Sequence, residues 1–85
     1  MEQENIGPYE FKMLSDTDQQ AYLWTNAIYI GNRVIGEYKV NLYTVSDFFV
    51  EVYYDGANNV ISHLKTFKNR DLLIPYIMLS SFNWN

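Results

Sequence analysis

The only histidine, His63, is the side chain best suited to acid–base chemistry near neutral pH. In the strand register predicted below it lies opposite Glu51, and a carboxylate beside an imidazole favours the protonated ring and can prepare a general base. No suitable nucleophile is expected close by, and the pair would lie on an open sheet face. A cross-strand charge pair is the commoner arrangement. The sequence therefore predicts no catalytic residue and no enzyme.

Metal and cofactor sites are not predicted either. A chain with one histidine and no cysteine cannot supply an ordinary zinc site. Residues 55–59 (D-G-A-N-N) offer oxygen ligands but lack the length and terminal glutamate of a calcium loop, so they indicate a turn. Gly31 and Gly36 are too far apart for a dinucleotide fingerprint. Asp16 and Asp18 are better explained as acidic residues at the start of a helix.

The composition indicates one small folded domain spanning residues 1–85. Apolar residues make up 48% of the chain and aromatic residues 18%, and a chain of this length has no room for a second core. The absence of cysteine, of a signal-like segment and of a long apolar run predicts a soluble, cytoplasmic protein with no membrane partner. A formal net charge of −4 argues against nucleic-acid binding, which needs a basic surface.

Residues 38–54 predict the hairpin around which the rest of the chain is arranged. Successive side chains of a strand point to opposite faces, and the even positions in both halves of this stretch are mostly apolar. A two-residue turn would place Leu42 opposite Glu51 and mix the apolar and polar faces. A three-residue loop over residues 45–47 would instead pair Leu42 with Val50. We therefore predict the three-residue loop.

Strands on both sides extend this hairpin into a sheet. Upstream, residues 27–34 lead into a second predicted three-residue loop that contains Gly36, and downstream the turn at residues 55–59 leads into a fourth strand. The fourth strand fits one register only if it contains a bulge near Ser62 or Leu64. The sequence predicts a four-stranded antiparallel meander.

A helix is predicted before the sheet. Ser15 is a typical N-cap residue followed by an acidic first turn, and Asn26 is a plausible end, so the helix covers about residues 15–25. It can extend back to residue 8 through a kink. Residues 1–7 are polar and without periodicity, and are predicted to be frayed.

A second helix is predicted after the sheet. Asn69 is a candidate N-cap, and Pro75 indicates that the helix ends near Leu73 or is kinked there. The predicted fold class is α+β, a four-stranded antiparallel meander with the N- and C-terminal helices on one face, in the order α-β-β-β-β-α. The aromatic C-terminal tail contains Phe82 and Trp84, and docks either on this domain or on a neighbour.

With both helices on one face, the other face of the sheet is left exposed and is rich in aromatic side chains. Large exposed apolar patches usually mark interaction sites, and tyrosine is enriched in binding hot spots. The residues predicted for this protein interface are Tyr29, Tyr43, Phe49, Tyr53 and Ile61. In the alternative interpretation these are ordinary strand residues packed on long neighbours such as Lys39 and Lys65. A third arrangement inverts the faces, so that the helices cover this side.

Four stretches share a pattern of strand and aromatic positions: Y-L-W (22–24), Y-K-V-N-L-Y (38–43), D-F-F-V-E-V-Y-Y-D (47–55) and N-N-V-I-S-H-L-K-T-F-K (58–68). Together they resemble small single-domain proteins of Bacteroidota-type bacteria. The resemblance spans roughly residues 20–77 and concerns the pattern of strands and aromatic positions. It implies a bacterial, intracellular, single-domain protein. No activity is assigned to that group, so the resemblance carries over no functional residue.

These observations favour a non-catalytic protein-interaction module that forms a homodimer through its aromatic face or through an edge strand. One alternative is a small acidic inhibitor, encoded by a phage or mobile element, that blocks a basic site on a host or competitor protein and has a clustered negative surface. Another is a small-ligand site between sheet and helices, lined by Tyr22 and Trp24.

Overall fold

The computed structural model describes residues 6–80, with the side chains of residues 6–77, and confirms the α+β class and the predicted order of elements. The elements are α1 (Pro8–Met13), α2 (Asp16–Asn26), β1 (Ile28–Ile35), β2 (Tyr38–Val45), β3 (Phe48–Asp55), β4 (Val60–Phe67), a 3₁₀ turn (Arg70–Leu73) and α3 (Ile74–Ser80). The strands form an antiparallel sheet in the order β1-β2-β3-β4. Most of the predicted frayed segment (residues 1–5) and the aromatic tail lie outside the described residues.

The helix predicted from Ser15 is α2. The Ser15 side chain accepts a hydrogen bond from the backbone N–H of Asp18 at 3.1 Å, and the helix ends at Asn26 as predicted. The chain is not helical at Leu14 and Ser15, so the upstream residues form a separate short helix, α1. Proline at the start of α1 is favourable, because the missing N–H would have no intrahelical partner there.

The C-terminal helix also begins where the sequence predicts a cap. Asn69 accepts a hydrogen bond from the backbone N–H of Asp71 at 2.9 Å, but the residues that follow form a 3₁₀ turn that ends at Leu73. The α-helix α3 starts at Ile74, which places Pro75 in its first turn. Proline is tolerated there, so it separates the two helical segments without disrupting α3.

The β2–β3 loop has two residues, and the predicted three-residue loop is wrong. Val45 pairs with Phe48, and Leu42 lies opposite Glu51. Ser46, the first loop residue, has φ of 54°, as a type II′ hairpin turn requires. The register of the two-residue turn, which the alternation of apolar residues disfavoured, is therefore the one present.

The β1–β2 loop also has two residues instead of the predicted three. Ile35 pairs with Tyr38 across a two-residue turn, and Gly36 has φ of 58° at its first position. Glycine adopts this conformation without the steric penalty of a side chain. A bulge in β1 then restores the predicted pairing of Ile28 with Thr44.

The predicted bulge in β4 is confirmed at Ser62. Tyr54 pairs with Ile61 and Tyr53 pairs with His63, which leaves Ser62 as the extra residue of β4. The bulge shifts the alternation of side chains in β4 by one residue, so apolar residues on both sides of it point to the same face of the sheet.

One face of the sheet carries the main core, under α1 and α2. Its buried residues are Phe11, Leu23, Val45, Phe48, Val50 and Val52, none more than 3% exposed. The rings of Phe11 and Phe48 have centroids 5.9 Å apart, so α1 is attached to the sheet by an aromatic contact.

The opposite face of the sheet is also covered, by α3. The buried residues on this side are Val40, Leu42, Glu51 and Tyr53. Tyr76 of α3 packs against Gly31, and its hydroxyl lies 2.7 Å from Glu51 Oε2. Since neighbouring residues of β3 point to opposite faces, Glu51 and Val50 lie on different sides. The N- and C-terminal helices therefore cover different faces, whereas both were predicted on one face.

Helices cover both faces of the sheet, and this explains why the alternation of apolar residues predicted the wrong loop lengths. The alternation of side chains specifies the register only where one face is apolar and the other polar, as in a sheet that is solvated on one side. In β3, Phe48 and every residue from Val50 to Tyr53 are buried, so both faces of this strand are inside. A central strand of this kind accepts either register as far as apolar burial is concerned.

The two hairpin loops at one end of the sheet contact each other through Gly56. Its backbone N–H donates to the carbonyl oxygen of Glu37 at 3.0 Å, and a Cβ at position 56 would lie only 2.7 Å from that oxygen. We expect Gly56→Ala to lower the free energy of unfolding by about 1–3 kcal/mol, because the methyl group must displace the carbonyl and weaken the bond. Urea unfolding at equilibrium measures the loss.

The matched control is the same substitution at Gly31. A Cβ there would meet only Tyr76 Cδ1 at 3.9 Å, an ordinary contact distance. We expect Gly31→Ala to change the free energy of unfolding by less than about 1 kcal/mol. Equal losses in the two variants would contradict a specific clash at Gly56.

Candidate interaction surface

The five residues predicted to form one exposed face are divided between the two faces of the sheet. Tyr29 and Tyr43 are cross-strand partners on the face under α1 and α2, and Ile61 packs against the core on that same side. Phe49 and Tyr53 lie on the other face, together with Glu51. A single aromatic interface built from all five side chains is therefore absent.

Tyr29 and Tyr43 belong to an aromatic cluster that includes Trp24. The Tyr43 ring lies 5.8 Å from the ring of Tyr29 and 5.8 Å from that of Trp24, in edge-to-face arrangements. Burial raises the pKa of Tyr43, and the neighbouring Tyr54 adds to this effect. Tyr29 and Trp24 are each about half exposed, at 51% and 52%. Trp24 was not predicted to lie here, because its position depends on how α2 crosses the sheet.

Phe49 and Tyr53 pack against neighbouring strand residues. Phe49 stacks on Phe67 with ring centroids 5.2 Å apart. Tyr53 stacks on His63 at 4.4 Å and is only 6% exposed. A side chain with so little exposed area contributes little to a surface that binds a protein.

The predicted Glu51–His63 pair is not present, because the observed register places His63 opposite Tyr53 and Glu51 opposite Lys65. The His63 Nδ1 atom instead lies 2.9 Å from the Ser62 hydroxyl. This exposed contact lies between adjacent residues on a bulged strand.

Glu51 is the centre of a buried polar cluster that the sequence did not predict. It is 7% exposed on the central strand β3. Its carboxylate accepts hydrogen bonds from the hydroxyls of Tyr76 at 2.7 Å and Tyr53 at 3.2 Å, and lies 3.4 Å from Arg33 Nη2. A buried carboxylate is tolerated when it is paired and hydrogen-bonded in this way.

The pKa values around Glu51 follow from this arrangement. Burial raises the pKa of Tyr53 and of Tyr76, and the hydrogen bonds and negative charge of Glu51 raise both further. Burial acts to lower the pKa of Arg33, but its contacts with Tyr76 and Glu51 outweigh that effect and raise it. At neutral pH both hydroxyls are therefore protonated donors and the guanidinium is charged.

The β1 edge of the sheet is an exposed apolar element next to these clusters. The exposed apolar side chains of β1 are Ile28 (68%), Tyr29 (51%), Ile30 (47%) and Val34 (71%). Arg33 is the only charged residue of the strand, and Glu51 neutralises it. An exposed apolar edge strand offers unpaired backbone N–H and C=O groups for pairing with another strand.

The other edge of the sheet, β4, carries the exposed Lys65, and β1 has no exposed charged side chain. Both edge strands contain a bulge and contact a helix, so this lysine is the feature that distinguishes them. Lysine on an edge opposes the addition of a strand. The two edges thus differ in their capacity for association.

Two open grooves lie on the described surface. One, of about 440 Å³, is lined by residues of the β2–β3 loop and by Ile6, Gly7 and Lys68. The other, of about 360 Å³, lies between the helices and β4, and includes His63 and Gln19. Neither is lined by Tyr22 or Trp24.

The predicted ligand-lining pair is separated in space. Tyr22 packs against Phe11 of the core with ring centroids 6.1 Å apart, whereas Trp24 lies outside the core against Tyr43. Within residues 6–80, no helix is long and apolar enough to cross a membrane, and no three acidic or histidine side chains are grouped as metal ligands.

The chain matches no family model, and neither a curated protein nor a solved structure shows significant similarity to it.

Proposed function

We propose that this protein is a non-catalytic interaction module that binds a second copy of itself through the edge of β1. The observation that carries the proposal is the run of exposed apolar side chains along β1, next to backbone groups that pair with no further strand among residues 6–80. The half-exposed rings of Trp24 and Tyr29 border this edge on the α2 side and extend the apolar surface.

Charge favours a second copy as the partner. Two molecules that each carry a net charge of −4 repel one another unless the surfaces that meet are neutral. β1 contains no acidic residue, and α3 contains no charged residue at all. The acidic residues lie elsewhere, for example Asp16 and Asp18 on α2 and Asp47 in the β2–β3 loop. The β1 edge is thus a surface where two copies meet without bringing carboxylates together.

The geometry of an antiparallel edge also suits a two-fold dimer. In a two-fold interface the same surface of each copy must be complementary to itself. Two identical strands that meet in antiparallel orientation satisfy this, because the N–H and C=O groups of each strand that point away from β2 can pair with those of the other. The result would be one continuous sheet across two copies.

The distribution of acidic residues gives no support to the inhibitor hypothesis. That hypothesis needs a clustered negative surface. Glu37 in the β1–β2 loop and Asp55 at the end of β3 lie at one end of the sheet, and Asp47 lies in the loop at the other end, paired with Lys68 at 3.2 Å. A self-associating module uses the neutral edge and needs no such cluster.

Val34→Lys tests the proposal. Val34 is 71% exposed on β1, and a lysine there adds a charge to the apolar edge of each copy, which disfavours edge-to-edge pairing. We expect wild-type protein to dimerise with a concentration-dependent mass and the variant to dimerise at least about tenfold more weakly. Light scattering after size exclusion, across a wide range of concentrations, measures the dissociation constant of the dimer.

The control is Val60→Lys on the opposite edge. Val60 is also exposed, at 55%, and it starts β4. The substitution adds the same charge to the same residue type, so it should leave the dimer unchanged. A wild-type protein that is monomeric at every concentration, or equal weakening by both substitutions, would overturn the proposal.

A further inference from the structure

α3 is attached beside the β1 edge by Tyr76. The Tyr76 hydroxyl lies 2.7 Å from Glu51 Oε2, and its ring centroid lies 4.9 Å from the guanidinium carbon of Arg33. The edge of the ring is in van der Waals range of the Gly31 position, where no side chain intervenes. Tyr76 thus contacts Gly31 and Arg33 of β1 and Glu51 of β3, and these contacts hold α3 on this face of the sheet.

The contact is selective for a tyrosine ring that carries its hydroxyl. Glu51 is a buried carboxylate and Arg33 is a partly buried cation, so the hydroxyl satisfies one charge while the ring face meets the other. Arg33 Nε is buried and makes no hydrogen bond among the described residues. The Tyr76 ring, 4.9 Å from the guanidinium carbon, is therefore a main neighbour of the Arg33 guanidinium.

α3 presents further apolar surface next to β1. While Tyr76 is turned toward the sheet, Ile74 is 51% exposed and Ile77 is 44% exposed. α3 packs against β1 and carries no charged side chain. The apolar edge therefore continues from the strand onto the helix.

The strand alone is too small for a stable dimer. Eight residues at about 3.3 Å per residue make an edge roughly 26 Å long, and with a layer thickness of about 10 Å its footprint is roughly 260 Å². Stable interfaces bury about 800 Å² on each partner. The second copy must therefore also contact surfaces that flank β1, and α3 on one face and Trp24–Tyr29 on the other are the apolar surfaces beside it.

We infer that α3, positioned by the contacts of Tyr76 with Glu51 and Arg33, is part of the self-association surface, so that a second copy binds β1 and α3 together. This inference rests on the proposed function. Tyr76 acts as a positioning residue: it does not need to touch the second copy, but it holds the helix that does. Release of α3 leaves the strand edge intact and weakens the dimer.

Tyr76→Phe tests this inference, because it removes the hydroxyl bonded to Glu51 and keeps the ring over Arg33. We expect the dissociation constant of the dimer to rise about tenfold, since a smaller fraction of the molecules has α3 in place. Amide hydrogen exchange of α3 should become faster, while that of β2 and β3 in the monomer stays unchanged. Tyr38→Phe is the matched control, because Tyr38 lies on the same face with ring contacts to Tyr53 and His63.

Ile74→Glu provides a second test that does not depend on the Tyr76 contact. The side chain is exposed, so the substitution leaves the fold of the monomer intact, but it adds a like charge to the inferred surface of both copies. It should weaken the dimer about tenfold or more. If the wild type dimerises and both Tyr76→Phe and Ile74→Glu dimerise equally well, the inference is overturned while the β1 proposal stands. A monomeric wild type overturns both.

Discussion

Replacing Phe48 by alanine is expected to lower the free energy of unfolding by about 3–5 kcal/mol. Phe48 is completely buried at the start of β3 and contacts Phe11 of α1, so the substitution opens a cavity between the sheet and the first helix. Small domains have a total stability of only about 5–15 kcal/mol, so this loss approaches unfolding at physiological temperature. Equilibrium unfolding by urea, followed by far-UV circular dichroism, measures it.

The adjacent residue provides the control for this prediction. Phe49 is half-buried on the opposite face and stacks on Phe67 with ring centroids 5.2 Å apart. We expect Phe49→Ala to lower the free energy of unfolding by about 1–2 kcal/mol, which corresponds to the smaller apolar area it buries. A larger loss for Phe49→Ala than for Phe48→Ala would mean that the main core lies on the other face.

Replacing Glu51 by alanine is expected to lower the free energy of unfolding by about 2–4 kcal/mol. The substitution removes the common acceptor of the Tyr53 and Tyr76 hydroxyls and the only carboxylate that pairs with Arg33 among the described contacts. The largest part of the loss comes from buried donors that lose the acceptor they share. Arg33 retains some solvent contact, which limits the loss. Urea unfolding measures it.

Two comparisons separate this effect from a general loss of charge. Glu37→Ala removes an exposed carboxylate in the β1–β2 loop and should change the free energy of unfolding by less than about 0.5 kcal/mol. In the double variant of Glu51→Ala and Tyr76→Phe, the loss should be smaller than the sum of the single losses, because both act on one hydrogen bond. Strict additivity would show that the Glu51–Tyr76 bond contributes nothing to stability.

The Glu51 cluster also connects stability with the proposed association. Arg33 lies on the edge strand, Glu51 on the central strand and Tyr76 on the terminal helix, so one polar cluster joins three elements that are far apart in sequence. Its neutralisation of Arg33 leaves the β1 edge without net charge, which is the condition under which two acidic molecules approach each other there.

Local features of the fold were determined by the sequence by itself. Ser15 caps a helix because its side-chain oxygen accepts from an N–H three residues later, and this interaction involves only neighbouring residues. The four strands follow from their aromatic and β-branched composition and from the turn residues between them. The bulge at Ser62 was predictable because apolar residues of β4 cannot share a face without it.

The register of the hairpins and the identity of the exposed surface were decided only by the tertiary structure. A two-residue loop at Ser46 differs from a three-residue loop by one position, and that one position moves Tyr43 from the face of Phe49 to the face of Val50. The choice depends on whether the second face of the sheet is covered. Tyr76 covers it through a hydrogen bond to a residue 25 positions away, and contacts at that separation leave no periodic pattern in the sequence.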